Sequence, residues 1–170
     1  CEAMTPLKEL MERTDKVRII APGTDLAFSI KGIPAIKCCG EVNIPDGEVY
    51  TAPVKNSING VVQFNTDTVY NGIFFSNVRL VFKDGRITEA SSLANNDKLQ
   101  DILETDAGSR YMGEFAFGLN PGITHPILDI LFDEKIGGSF HMAIGNSYDE
   151  APNGNSSSVP WDLIQMQDAA

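Results

Sequence analysis

Short runs of alternating polar and apolar residues, broken at close intervals by Gly, Asn and Asp, restrict this chain more than any other feature. In GEFAFGL, residues 113–119, Phe115, Phe117 and Leu119 fall on one face of an extended strand. Glu114, Ala116 and Gly118 fall on the other, because successive strand side chains point to opposite faces. SFHMAIG, residues 139–145, repeats the design, with Phe140, Met142 and Ile144 opposite Ser139, His141, Ala143 and Gly145. Each run has one apolar face to bury and carries a single ionisable residue among small ones on the reverse. The pattern by itself favours a solvated outer face, although the small neighbours also leave room for a ligand or an ion.

Other segments extend the β reading. KVRIIA and LAFSIK flank the turn PGTD, and GEVYTAPV and GVVQFN flank KNSIN, with Asn59-Gly60 expected as a hairpin turn. IFFSNVRLVFK and RITEAS flank Asp84-Gly85, a second hairpin signal. VPWDLIQMQ reads as a last strand after the loop YDEAPNGNSSS. Helices are few and short. MTPLKELMERTD has Thr5 as a candidate N-cap, Pro6 in the first turn and Leu7, Leu10 and Met11 on one face. NNDKLQDILE has Asn95 or Asn96 as cap, and HPILDILFDE supplies a third. No repeat or linker divides the chain. The expectation is a single α+β domain over residues 1–170, a mainly antiparallel β-sheet with a few short helices.

A length of 170 residues with 42% hydrophobic content supports one buried core. The net charge of −10 argues against a nucleic-acid partner, because phosphate binding needs clustered Lys and Arg. No apolar run approaches the roughly 20 residues that cross a bilayer, so no membrane role is expected. The three cysteines, Cys1, Cys38 and Cys39, are odd in number, and two are adjacent. That is not a disulfide framework, and a reducing, cytoplasmic location is the expectation.

The chain has two histidines, His125 and His141. The second lies between Asp133-Glu134 and Tyr148. A neutral imidazole with carboxylates from separate strands forms a mixed N/O cage suited to Zn²⁺, Co²⁺ or Mn²⁺ rather than Ca²⁺. No local HExxH motif is present, so such a cage has to be assembled from distant segments.

Six stretches, in order, resemble the metal-dependent aminopeptidase family that includes aminopeptidase T and aminopeptidase S, the thermophilic metalloproteases. They are GTDLAFSI, NIPDGEVYTAPVKNSINGVVQFN, LVFKDGRITEA, GSRYMGEFAFGLNPGIT, LFDEKIGGSFHMAIGNSY and SSVPWDLIQMQ. Together they cover nearly the whole chain and match the C-terminal part of that family, including its catalytic domain.

The resemblance implies a dinuclear site. Glu48 matches the first metal-binding glutamate, and Glu114 the glutamate that bridges two ions and takes part in catalysis. His141 matches a metal-binding histidine and Asp162 the closing metal-binding aspartate. Glu134 matches an acid beside the ions, either a ligand or the base. Tyr148 matches a catalytic tyrosine that stabilises the tetrahedral oxyanion. The implied activity is release of N-terminal amino acids from peptide substrates by metal-activated water, using divalent Zn, Co or Mn ions. A homodimer is implied as well.

Two departures qualify that expectation. The family carries a metal-binding histidine where this chain has Pro160, two places before Asp162. One ion should therefore be weakened, leaving one or none. His125, in GITHP, matches no ligand position and reads as a loop or helix-start residue. Family members are also longer, with an N-terminal domain that shapes the substrate cleft, so a fragment or a shortened homologue is expected. The alternative function is a catalytically impaired relative acting as a binding or assembly module.

Overall fold

The computed structural model describes residues 1–167. A single 3₁₀ turn leads into α1 (Thr5–Glu12), followed by β1 (Lys16–Ala21), β2 (Thr24–Ser29), β3 (Ile36–Cys38), β4 (Glu48–Thr51) and β5 (Asn59–Gln63). Then come β6 (Thr68–Tyr70), β7 (Ile73–Phe75), β8 (Arg79–Lys83), β9 (Arg86–Ser91) and α2 (Asn96–Leu103). The chain closes with β10 (Met112–Gly118), α3 (Ile130–Asp133), β11 (Ser139–Gly145) and β12 (Pro160–Met166).

Two five-stranded sheets form, ordered β1-β2-β5-β8-β9 and β12-β11-β10-β4-β3, with β6 and β7 as a separate two-stranded ribbon. All the strand pairings are antiparallel. The architecture is α+β and mainly antiparallel. No helix among the described residues is long and apolar enough to cross a membrane.

The core lies between the two sheets. Phe28 of β2 meets Phe115 of β10 edge-on, with ring centroids 4.9 Å apart, and Phe64 lies 6.4 Å from Phe140 of β11. Trp161 of β12 is clasped by Tyr70 and Phe75 from the ribbon, at 5.1 and 4.7 Å. Phe115, Phe140, Met142, Ile144, Trp161 and Leu163 are all buried here. Burying side chains of this size is worth about 1.5–3 kcal/mol each, so this face is what holds the second sheet in place.

Local expectations needed four corrections. Asn59-Gly60 does not turn a hairpin: it begins β5, which pairs with β2 and β8. Gly60 is required because a Cβ there would lie 2.1 Å from the carbonyl oxygen of Asp25 on β2, and its φ is +115°. The signal that favours a type I′ turn has been spent on a close strand approach. The stretch 73–83 is two strands rather than one, broken at Asn77 with φ +47°. Third, Cys1 and Cys39 form a disulfide with Cα atoms 5.4 Å apart, leaving Cys38 as the free thiol. Nothing in their spacing of 38 residues announces the pairing. It follows from α1 lying beside β3, where Lys37 Nζ donates to Thr5 Oγ1 at 3.0 Å. Thr5 is the first residue of α1 rather than its cap.

Candidate metal centre

The second sheet is buried on both faces. Its reverse side carries three rows of residues fixed by strand register. Glu114, Ala143 and Asp162 lie across β10, β11 and β12; Tyr50, Ala116 and His141 across β4, β10 and β11; and Glu48, Gly118 and Ser139 across the same three strands. Each row places an ionisable or phenolic side chain beside small residues, so the long carboxylates have room to converge over Ala116 and Ala143. A register irregularity between Met112 and Glu114 sets Glu114 opposite Ala143.

Glu134 arrives from the segment after α3, not from the sheet. Gly118 makes this possible: a Cβ there would lie 2.3 Å from the Ile136 carbonyl oxygen and 2.8 Å from that of Glu134. Asn120 ties the segment down. Its backbone N–H donates to Lys135 O at 3.0 Å and its side-chain amide to Asp46 O at 2.7 Å. Asp133 is buried for a structural purpose, accepting from the backbone N–H groups of Ile127 and Leu128 at 2.8 and 3.0 Å.

The resulting cluster is tight. His141 Nε2 lies 3.3 Å from Glu48 Oε2 and 3.5 Å from Glu114 Oε1. Ligand atoms of Glu48, Glu114 and His141 all fall within 4.8 Å of one another, as do those of Glu134, His141 and Asp162. His141 is 0% and Glu114 3% exposed. Both ring nitrogens of His141, Glu48 Oε2 and Asp162 Oδ1 are buried without a hydrogen-bond partner. Orphaned buried polar atoms are rare because each forfeits its hydration. Here several of them point at one another, and four carboxylates with an imidazole are a donor set that fits Zn²⁺, Co²⁺ or Mn²⁺.

Crowded like charges show in the proton affinities. Burial, and then the charge of Asp162, push Glu134 up to about 7. Burial, and then the charge of Glu114, push Asp162 up to about 7. Burial also raises Glu114, with His141 opposing it. Glu48 goes the other way: burial works against ionisation, but His141 and Lys135 together hold it at about 2. Burial disfavours a charged His141, yet Glu114 and Glu48 raise it well above the usual imidazole value. A metal ion at this position has to displace that proton.

Tyr148 stands at the rim, 50% exposed, its ring 5.2 Å from that of Tyr50. The charge of Glu114, aided by burial, keeps its phenol protonated. The loop carrying it is held by Asn153, whose amide donates to Pro53 O and Met112 O, and by Asp106, which accepts from Ser157 Oγ, Ser158 Oγ and Ser158 N. His125 lies in an exposed loop with Thr124 Oγ1 3.2 Å from its Nδ1, and among the described residues it joins none of the groups of converging ligand atoms. Pro160 is exposed at the start of β12, opposite Gly145 and two residues along the strand from Asp162.

Lys135 is the most central of the residues that sequence reasoning missed. It is fully buried, 3.0 Å from Glu48 Oε1, ion-paired with Glu134 and 4.0 Å from Asp46 Oδ1. A lysine next to two acids ordinarily signals a solvated turn, so the string DEK contained no warning. Cys38 and Asp46 were missed too: with Glu48 they bring ligand atoms within 4.8 Å on the same flank. Burial, and then Glu48, keep the Cys38 thiol protonated.

Comparisons with known proteins bear on this geometry. Residues 3–168 match the family model described as thermophilic metalloprotease (M29). The chain is 35% identical over 141 residues to aminopeptidase AmpS of Bacillus subtilis (strain 168), covering 75% of this chain and 34% of that protein. It is 31% identical over 150 residues to aminopeptidase T of Thermus thermophilus, covering 80% and 36%. The solved structure of wild-type AmpT from Thermus thermophilus superposes with a TM-score of 0.78 at 27% identity, over 95% of this chain and 45% of that one. A 2,5-dihydroxypyridine dioxygenase from Pseudomonas putida KT2440 also reaches 0.78, at 15% identity over 95% and 52%, a likeness of fold alone. The chain spans roughly a third of the length of these aminopeptidases.

Proposed function

This chain belongs to the thermophilic metalloprotease (M29) family, and from that premise we propose that it forms the metal-binding catalytic part of an aminopeptidase. Glu48, Glu114, Glu134, His141 and Asp162 would hold the metal, in two overlapping groups that share His141. The observation that carries this reading is His141: wholly buried, with neither ring nitrogen hydrogen-bonded, beside Glu48 and Glu114.

A divalent ion bound there supplies Lewis-acid polarisation of a peptide carbonyl and lowers the pKa of water. The remaining work belongs to the chain. Glu134, which lies with His141 and Asp162 in the cluster, is the carboxylate that would accept a proton and return it to the departing amine. Glu114 shares that acidic environment and has a raised pKa of its own. Tyr148 stays a neutral phenol and so remains a hydrogen-bond donor for a developing oxyanion. The small residues Ala116, Ala143 and Gly118 keep competing side chains out of the cluster.

The test is calorimetric titration of EDTA-stripped protein with Zn²⁺ and Co²⁺, followed by hydrolysis of leucine p-nitroanilide. The expected result is tight binding in the unmodified chain. His141→Ala and Glu114→Gln should each weaken it more than about 100-fold, since loss of even an outer-shell partner costs 10–100-fold. Absence of binding by the unmodified, folded chain would sink the reading.

A further inference from the structure

Building on that metal-site reading, we propose that Lys135 is a built-in counter-ion of the cage. It holds the carboxylates together when no metal is bound, and it competes with a divalent ion for them. A fully buried ammonium is costly unless paired, and this one is paired with carboxylates assigned to the metal. Its Nζ is 3.0 Å from Glu48 Oε1 and ion-paired with Glu134, while Glu48 turns its other oxygen, Oε2, to His141 at 3.3 Å. The same two acids thus serve ammonium and ion. Among the described residues, Lys135 and His141 are the only basic side chains within 4.0 Å of the cage acids.

The lysine is anchored rather than stray. Its backbone N–H donates to Phe132 O at 3.1 Å, and its carbonyl accepts from Asn120 N at 3.0 Å. It also faces the flank where Cys38, Asp46 and Glu48 approach one another, 4.0 Å from Asp46 Oδ1. A positive charge in that place satisfies the acids of the empty cage and repels a second cation. A lysine that merely positioned ligands would act with the opposite sign, since its loss would loosen the cage and weaken metal binding.

The opposite signs make the proposal testable with Lys135→Met, which keeps an unbranched side chain one atom shorter and removes its charge. Zinc affinity of stripped protein, by calorimetry, should rise about tenfold or more, because a unit charge a few ångströms from a divalent ion is removed. The variant should melt below the unmodified protein in EDTA and recover in excess zinc. A measurement on the unmodified chain stands beside it, so that a poorly folding variant does not decide the matter. In ¹⁵N-lysine-labelled protein the Lys135 ammonium signal, assigned by its absence from Lys135→Arg, should be protected in EDTA and should shift or vanish on zinc addition. Unchanged or weaker zinc affinity in Lys135→Met, or an unmoved Lys135 signal in zinc-loaded protein, overturns the proposal and leaves the metal site standing. Zinc binding by neither protein overturns both.

Discussion

The two faces of the second sheet are made by the same strands, in the same register, and both are buried, yet they are held by opposite physics. The inner face, with Phe115, Phe140, Met142 and Leu163, packs against the first sheet. There every neighbour is an asset, and the free energy comes from area removed from water. The outer face, with Glu48, Glu114 and His141, buries groups that would be better hydrated. It is tolerated because the inner face supplies the stability of the sheet, while the pinned loop after β11 and the segment around Lys135 close over the reverse. The contrast separates a surface that stabilises the fold from one that the fold has to restrain, and each can be perturbed without directly touching the other.

The largest effect is expected on the inner face. Phe140→Ala removes a wholly buried ring and should cost about 3–5 kcal/mol in denaturant unfolding. Zinc affinity per folded molecule should change little. A large loss of affinity with little loss of stability would mean that the faces are not separable.

The outer face should reveal itself through pH. Glu134 and Asp162 lie near 7 in the folded protein, against 4.5 and 3.8 as their ordinary values. Both acids therefore hold protons more tightly when folded. Their contribution to stability is full below about pH 4 and is lost as pH rises through about 7. Metal-stripped protein should be less stable at pH 7.5 than at pH 5 by on the order of 3 kcal/mol, read from urea melts. Excess zinc should abolish that slope, since a bound cation compensates the ionised acids. Rising stability of the stripped protein between pH 5 and 7.5 would show that the acids are not strained against one another.

A smaller and more local effect belongs to Gly118. Adding a methyl group in Gly118→Ala forces the Ile136 and Glu134 carbonyls away from β10. Overpacking of this kind costs about 1–3 kcal/mol, and zinc affinity should fall with it because Glu134 rides on the displaced segment. Stability loss with unaltered affinity would place Glu134 outside the ligand set.

What was legible in the sequence divides along the same two faces. Period-two alternation gave β10 and β11 and assigned Phe115, Phe117, Phe140, Met142 and Ile144 to the core, because a one-residue shift would have buried the wrong set; all are buried but Phe117, which is only partly covered and packs at the core's edge. The same alternation placed Glu114 and His141 on the reverse, but the pattern alone favoured a solvated face. That face is buried, and the covering chain comes from segments with no periodicity of their own. Its closure depends on Gly118 letting the Glu134–Ile136 backbone approach, on Asn120 reaching both Lys135 and Asp46, and on Asn153 and Asp106 pinning the Tyr148 loop. These are tertiary hydrogen bonds and steric allowances, which composition and spacing do not encode. The residues nominated around the cage came from family resemblance, and Lys135 lay outside that set for the same reason.

Pro160 offers a test of the outer face at its exposed edge. It sits on β12 two residues before Asp162, so the two side chains share the reverse face of the strand. Proline has no donor atom for a metal, and at the exposed start of the strand its missing N–H costs the sheet little. A histidine there would extend an imidazole along the Asp162 flank, opposite the Lys135 side of the cage, and add a nitrogen ligand without altering the inner face. Pro160→His should therefore leave unfolding free energy within about 0.5 kcal/mol. It should raise zinc affinity about tenfold, or about 1.4 kcal/mol, and move the number of tightly held ions from one towards two. Calorimetric stoichiometry of the two proteins decides the point: two tight sites in the unmodified chain would show that the carboxylates alone suffice and that Pro160 removes nothing the cage needs.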